Sequence, residues 1–273
     1  MVLETNYLQT TMPLRTEVKI HYILRIAVAM CFIGHGAFGI ITKEIWCNYF
    51  AVFGIGTKTA YALMPWVGGA DVLLGMIMLF YPMRAIALWL VIWGLFTASL
   101  RPASGEPFAE LIERAGNFGA PLALLILSGG IKSIKQLFIP IDPYAQINTD
   151  TLKNVTTCLK VVAFLLLMGH GWLNIIEKKG LLNQFASLGF TQPGKVAQFA
   201  GVFEIAAALL VLFKPIRGIL LILIIWKMAT ELFYPHYEMF EWIERGGSYC
   251  TLIALWFATK EVSSTVNINS VSN

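Results

Sequence analysis

Polar residues recur at matching positions in the two halves of this chain. Gly34-His35-Gly36 returns as Gly169-His170-Gly171, and Asp71 in one apolar stretch is matched by Glu204 in another. The offsets, 170 − 35 = 135 and 204 − 71 = 133, differ by two residues, as a small loop deletion would cause. Inward-facing histidines and carboxylates form proton relays and ligand sites in membranes, so these residues are the first candidates for chemistry.

A later acidic segment is repeated as well. EPFAELIERAGN in the first half answers to YEMFEWIERGGS in the second, at an offset of 244 − 113 = 131. We expect the Glu-Arg pairs at 113–114 and 244–245 to cap the cavity that holds the histidine of the same half. Glu110 and Glu241 are expected on a solvated loop face, where a protein partner would dock.

The composition places these residues in a membrane protein. Hydrophobic residues make up 57% of the 273 residues and charged residues 13%, about half the charged share of a soluble domain. Apolar runs near 20 residues, long enough to span a bilayer as helices, recur along the chain. The modest net charge of +4 gives no sign of nucleic-acid binding, and the four cysteines show no spacing that predicts a metal site.

The fold class predicted is all-α, with eight transmembrane helices in two tandem four-helix bundles. The first bundle falls within residues 1–140, a polar linker covers 141–154, and the second bundle falls within 155–273. Because each copy has an even number of spans, a pseudo-twofold along the membrane normal should relate them. The predicted helices are 21–42, 63–81, 83–100 and 117–139, then 155–176, 196–213, 216–233 and 247–260.

An even number of spans also places both termini on one face of the membrane. That face, here called face A, carries the turns 82–84 and 214–217; the opposite face is face B. Face A has slightly more Lys and Arg than face B, which by the positive-inside rule favours cytoplasmic termini in a bacterial inner membrane.

The matched polar residues should form one layer near face B. A charge at bilayer depth costs about 2.5–3.5 kcal/mol on insertion scales, so each carboxylate should point inward and pair with the histidine of its own half. Such a pair is either a structural clamp between helices or part of a functional site. The candidate pocket residues are His35, Asp71, Thr97, Glu113, Arg114, His170, Asn174, Glu204, Lys227, Thr230, Glu231, Glu244 and Arg245.

The two halves also differ within this layer. Lys227, Glu231 and Asn174 of the second half stand where the first half has Gly94, Ala98 and Gly39, respectively. These extra polar groups favour the second pocket as host of a single active centre. Trp93 and its match Trp226 are interpreted as core or interfacial aromatic residues.

The order of these motifs resembles the DoxX/DoxD-like family of four-helix membrane proteins. The residues that carry the resemblance are RIAVAMCFIGHGAFGI, LLLMGHGWLNII, GLLNQFASLGF and AGVFEIAAALLVLFKPIRGILL. It implies a bundle fold and, for some relatives, a membrane subunit of a quinone-linked sulfur or thiol oxidoreductase. Family members commonly carry a lysine shortly after the His-Gly step; here Gly39 and Asn174 occupy those places, so a lysine-dependent role is not expected.

Four functions are compatible with the sequence. We favour a quinone-linked redox subunit, in which His and carboxylate groups bind the quinone head between apolar walls. The alternative is a non-catalytic scaffold, assembly factor or partner-binding subunit. A proton or solute transporter is less favoured because no broken helix or inverted repeat supports it. Haem bound by His35 and His170 is also disfavoured, because each half offers only one such histidine.

Overall fold

The regular elements of the described chain are all α-helices. The computed structural model describes residues 15–232 and 239–271, with side chains described to residue 259; both termini, on which the cytoplasmic assignment depends, lie outside these ranges. The helices are α1 Thr16–Ile40, α2 Trp46–Ala51, α3 Thr57–Phe80, α4 Arg84–Ala103, α5 Ala109–Glu113, α6 Ala115–Leu127, α7 Ile134–Leu137, α8 Thr149–Ile175, α9 Lys179–Ser187, α10 Pro193–Phe213, α11 Arg217–Leu232, α12 Met239–Glu244 and α13 Gly246–Val271.

Each of the eight predicted helices has a counterpart, but several predicted ends were wrong. The helix predicted over 117–139 ends at Leu127, because Gly129 and Gly130 adopt positive φ angles of 83° and 70° that stop it. The helix predicted from 155 begins at Thr149, inside the expected linker, because the side chain of Asn148 caps it by accepting a hydrogen bond from the amide of Thr151.

Five short helices between the long ones were not predicted. Two of them, α2 and α9, connect the first and second long helices of each half, and two more, α5 and α12, precede α6 and α13. Apart from α9, with nine residues, each has six residues or fewer, which is too short for a helical periodicity to stand out in the sequence. These connectors prove important because they carry side chains into the polar layer.

The two halves interleave rather than forming separate bundles. Helix α1 packs against α3 of its own half and against α12 and α13 of the other half. Helix α8 likewise packs against α10 of its own half and against α5 and α6 of the first. The hydrophobic core is correspondingly continuous across both halves, with Leu24 and Leu124 from the first and Leu166 and Leu255 from the second in a single cluster.

Glycines at the repeated His motifs permit this interleaving. A Cβ atom at Gly34 would lie 2.3 Å from the backbone nitrogen of Glu244, and one at Gly169 would lie 2.3 Å from that of Glu113. Both distances are far below van der Waals contact, so any side chain would force the neighbouring segment away. Each His helix therefore closes directly onto the acidic connector of the opposite half.

Among the residues that the structure describes, five helices are long and apolar enough to cross a membrane: α1, α3, α4, α8 and α10. Of the most apolar stretch of each helix, only 28% is buried inside the protein in α3 and 22% in α4, against 61% in α1 and 56% in α8. Large apolar side chains such as Trp66, Phe80, Phe199 and Phe213 stand on the outer surface of α3 and α10. By contrast, α6 has 13 residues and would measure only about 20 Å, less than a hydrocarbon core of about 30 Å.

Candidate functional site

A histidine, an aspartate and a tryptophan form the polar centre of the first half. His35 on α1 lies with Nδ1 2.7 Å from Oδ2 of Asp71 on α3, and Nε1 of Trp93 on α4 donates to Oδ1 at 2.8 Å. Asp71 is only 1% exposed, so both of its oxygens are satisfied inside the protein. Because a carboxylate accepts, the proton sits on Nδ1 of His35, and Nε2 is left for another partner.

The second half repeats this centre with one addition. Nδ1 of His170 lies 2.5 Å from Oε2 of Glu204, and Trp226 donates to Oε1 of the same carboxylate at 2.8 Å. The fully buried Asn174 adds an amide nitrogen 3.3 Å from Nδ1 of His170. The predicted pairing of each histidine with the carboxylate of its own half is confirmed.

The tryptophans are the residues that sequence reasoning misread. Trp93 and Trp226 were interpreted as packing aromatics, but both indole N–H groups donate to the buried carboxylates. The two tryptophans are 226 − 93 = 133 residues apart, which is the same offset as that between Asp71 and Glu204. This shared offset was the available signal that tryptophan and carboxylate belong to one unit.

Ion pairs from the acidic connectors join the two centres. Glu113 accepts from Arg245 at 2.5 Å through Oε1 and from Arg114 at 3.1 Å through Oε2. Arg114 also reaches Glu110 at 2.5 Å, and Arg245 approaches Glu231 of α11 at 3.8 Å. Burial alone would raise the pKa of Glu113, but the guanidinium groups of Arg245 and Arg114 hold it well below its usual range.

Neighbouring residues of each connector face different cavities. Arg114 and Glu244 line a cavity beside His35, whereas Glu113 and Arg245 line one beside His170. The prediction that each Glu-Arg pair caps the cavity of its own half was therefore wrong for the glutamates. The interleaved packing carries each connector across to the other half, where the backbone of its glutamate meets the His helix.

Glu110 and Glu241, which we expected on a solvated acidic face, are both buried. Glu110 is fully buried and pairs with Arg114 and Lys178, and Glu241 is 9% exposed and pairs with Lys43. Although burial would raise the pKa of Glu110, Arg114 lowers it overall. The expectation of a solvated face was therefore wrong for both glutamates, and the docking of a protein partner on this side of the molecule stays a prediction.

The first cavity is open, and most of its lining residues are aromatic or aliphatic. It has a volume of about 130 Å³. Trp46 of α2 stands against the imidazole of His35, with ring centroids 4.7 Å apart. Thr97 faces the cavity while its hydroxyl donates back to the carbonyl of Trp93 at 3.0 Å. The remaining lining residues are Tyr49, Phe50, Phe53, Ile55, Val67, Phe96, Ala98, Leu100, Arg101, Arg114, Asn117 and Glu244.

The second cavity has been filled by larger residues. Its volume is only about 20 Å³. Glu231 lines it where Ala98 lines the first cavity, and the side chain of Lys227, buried on α11, lies 3.3 Å from Glu231 and 4.0 Å from Glu204. The backbone carbonyl of Thr230 accepts from Gln184 of α9 at 2.5 Å. Of the residues that favoured the second half as host of the active centre, Glu231 takes up space on the cavity wall, and the two volumes favour the first half.

Three groups in the second cavity have the spacing of metal ligands. Glu113, His170 and Glu231 each offer an atom within 4.8 Å of the others. Arg245 and Lys227 already neutralise the two carboxylates, however, at 2.5 and 3.3 Å. A divalent cation bound here would be repelled by both of these positive side chains and would have to displace at least one of them from its carboxylate. The arrangement fits internal ion pairing better than metal binding.

Comparisons with family models, with characterised proteins and with solved structures gave no match for this chain.

Proposed function

We propose that this chain is an integral membrane subunit of a quinone-linked redox system of the sulfur or thiol type, and that it binds the quinone ring in the first cavity. The observation that carries the proposal is a ring-sized aromatic cavity with one oriented histidine on its wall. In the described residues, Nε2 of His35 has no hydrogen-bond partner, while Nδ1 is held by Asp71.

The size of the cavity selects the class of ligand. A cavity of about 150 Å³ in another protein holds benzene, so about 130 Å³ in an open cavity is close to the space that one six-membered ring needs. A haem is several times larger than this space. His35 and His170 moreover line different cavities with the connector ion pairs between them, which disfavours haem ligation by both histidines.

His35 supplies the proton chemistry that a quinone requires. In its neutral form Nε2 accepts a hydrogen bond from a quinol hydroxyl; in its protonated form the same atom donates to a quinone carbonyl. Asp71 stabilises the imidazolium form, and the indole of Trp93 keeps Asp71 in place. These side chains do not carry electrons, so a partner subunit or a cofactor that it holds exchanges electrons with the ring.

We further propose eight spans in two tandem copies, related by a pseudo-twofold and with both termini cytoplasmic. Because α6 alone is too short to cross the bilayer, its span would include the short helix α5 that directly precedes it. Matched contacts support the symmetry. A Cβ at Gly36 would lie 2.4 Å from the carbonyl of Gly68, and one at Gly171 would lie 2.9 Å from that of Gly201. Gly116 and its match Gly247 would each clash with the other, as expected for residues beside a twofold axis.

Titration with a short-chain benzoquinone tests the proposed site. Trp46 and Trp93 line the cavity, so binding to the purified protein in detergent should quench tryptophan fluorescence. His35→Ala should weaken binding by about tenfold, the equivalent of one hydrogen bond to a charged group. His170→Ala is the matched control and should retain wild-type affinity. Equal weakening by both variants, or no saturable binding to the wild type, would contradict the proposal.

A second function, a non-catalytic scaffold or assembly factor, is favoured by one observation. The buried ion pairs between Glu113 and Arg245 tie the two halves together and need no ligand to explain them. In that case the histidine centres would only join helices. No saturable quinone binding by the wild type, together with a lower Tm of the protein that carries both His35→Ala and His170→Ala, would support this second function.

A further inference from the structure

A stack of four aromatic rings runs along the lipid-facing side of the first cavity. Trp89 stacks on Trp93 with centroids 6.0 Å apart, Trp93 on Phe96 at 5.6 Å, and Phe96 on Phe53 at 5.9 Å. The interplanar angles are 9°, 25° and 29°. The stack therefore leads from the outer surface of α4, past the tryptophan that holds Asp71, to the end of α2.

The outer members of this stack belong to both the cavity and the protein surface. Phe53 is 53% exposed and Phe96 is 40% exposed, yet both line the cavity. Trp89 is 50% exposed on the same side of α4. Phe96 and Trp89 lie on α4, which is long and apolar enough to cross the membrane, and exposed aromatic faces of such a helix contact lipid. The cavity wall at Phe96 is therefore also a boundary with the bilayer, and Phe53 stands beside it just beyond the end of α2.

The helices around this wall leave space between them. Helices α3 and α4 are consecutive, but α3 packs mainly on α1 and α4 mainly on α6, and they touch each other only slightly. The short helix α2 bridges the top of this gap and carries Phe53 just beyond its end. A flat molecule could pass sideways between α2 and α4 without separating any well-packed pair of helices.

The second half lacks this feature. Its matching positions for Trp89 and Phe96 are Ile222 and Ala229, and Trp226 instead meets Phe203 edge-on at 5.3 Å. The stack therefore accompanies the open cavity and is absent, within the described residues, beside the filled one. A purely structural role in the bundle would be expected in both halves.

We propose that the first cavity opens laterally into the bilayer between Phe53 and Phe96, and that its ligand is a lipid-soluble ring compound whose hydrocarbon chain lies along this aromatic stack. This inference rests on the proposed quinone site and names the class of quinone, one with a polyprenyl or alkyl tail. The ring reaches His35 through the side of the protein, and the tail remains in contact with lipid.

The experiment compares two probes with one head group. One is a substituted benzoquinone without a tail, and the other carries a ten-carbon chain. Both are titrated into wild type, Phe53→Ala and Phe96→Ala in the same detergent, with Phe199→Ala as a control. Phe199 is 78% exposed on α10 in the other half. The three truncated side chains are exposed, so folding should persist, and a monodisperse elution profile confirms it.

In wild type the tail should improve affinity by about tenfold, as burial of a few methylene groups gives. Because Phe53 and Phe96 also line the ring site, the readout is the ratio of the two affinities. Phe53→Ala and Phe96→Ala should remove most of the tail's gain and bring this ratio close to one, whereas Phe199→Ala should preserve the wild-type ratio. An identical gain from the tail in all four proteins would overturn the lateral opening and leave the ring site standing. If neither probe binds saturably to wild type, the quinone site itself is wrong and the lateral opening falls with it.

Discussion

Replacement of Gly34 by alanine tests the interleaved packing that brings Glu244 to the first cavity. An ideal Cβ at Gly34 would lie 2.3 Å from the backbone nitrogen of Glu244 and 2.6 Å from its Cα. The obstacle is backbone, so no rotamer change relieves it, and α12 must move. Overpacking of this kind costs about 1–3 kcal/mol, against which alanine recovers about 0.5–1 kcal/mol of helix propensity.

Gly69→Ala is the matched control, because a Cβ at Gly69 on α3 would meet nothing within 4 Å. With about 2–4 °C per kcal/mol, Gly34→Ala should lower the apparent Tm by up to roughly 10 °C, and Gly69→Ala should leave it equal or slightly higher. The measurement is thermal unfolding in one detergent at one scan rate. Gly34→Ala should also weaken quinone binding, because Glu244 lines the cavity. Equal Tm values for the two variants would refute the close contact between α1 and α12.

Two further predictions concern the buried ion pairs. Glu113→Gln leaves Arg245 and Arg114 without their shared carboxylate and should lower the free energy of unfolding by about 3–5 kcal/mol, which is measured as a lower Tm. The control Lys153→Gln breaks only an exposed pair with Asp150 and should leave the Tm unchanged. Because the pKa of Glu113 is lowered in the folded protein, the folded state binds fewer protons than the unfolded state. The stability that Glu113 contributes is therefore complete above the ordinary glutamate pKa of about 4.3, and it is lost as the pH falls through the lower pKa of the folded state. A Tm that stays flat above about pH 5 and falls below about pH 4 is therefore expected, and an acid-induced loss of the same size in Glu113→Gln would contradict this assignment.

The pairing of each histidine with a carboxylate could be predicted from the sequence because the two halves of the chain can be aligned with each other. His35 with Asp71 and His170 with Glu204 are the polar residues that both apolar copies retain, and insertion energetics require them to face inward and pair. The long helices followed from apolar runs of sufficient length. The indole donors carried the same offset as the carboxylates, so the rule that buried polar groups are satisfied could have linked them.

The exchange of the acidic connectors could not be predicted in the same way. Glu244 meets Gly34 across 210 positions of the chain, and a repeat allows packing within a copy and packing between copies equally well. The sequence also led us to expect that Glu110 and Glu241 are exposed to solvent, because a carboxylate near the end of a membrane span is usually hydrated. Their burial depends on Lys178 and Lys43, whose proximity is a property of the tertiary structure alone.

The differences between the halves suggest how one cavity became specialised. At Ala98 the first half keeps a small side chain on the cavity wall, where the second half places Glu231. Similarly, Ala70 in the first half matches Phe203 in the second, whose ring packs against Trp226. Glu231 therefore takes up space on the wall of the second cavity, and Phe203 covers the indole that donates to Glu204. A histidine clamp alone would need no open volume in either half, so the retention of about 130 Å³ beside His35 is better explained by a ligand than by helix packing.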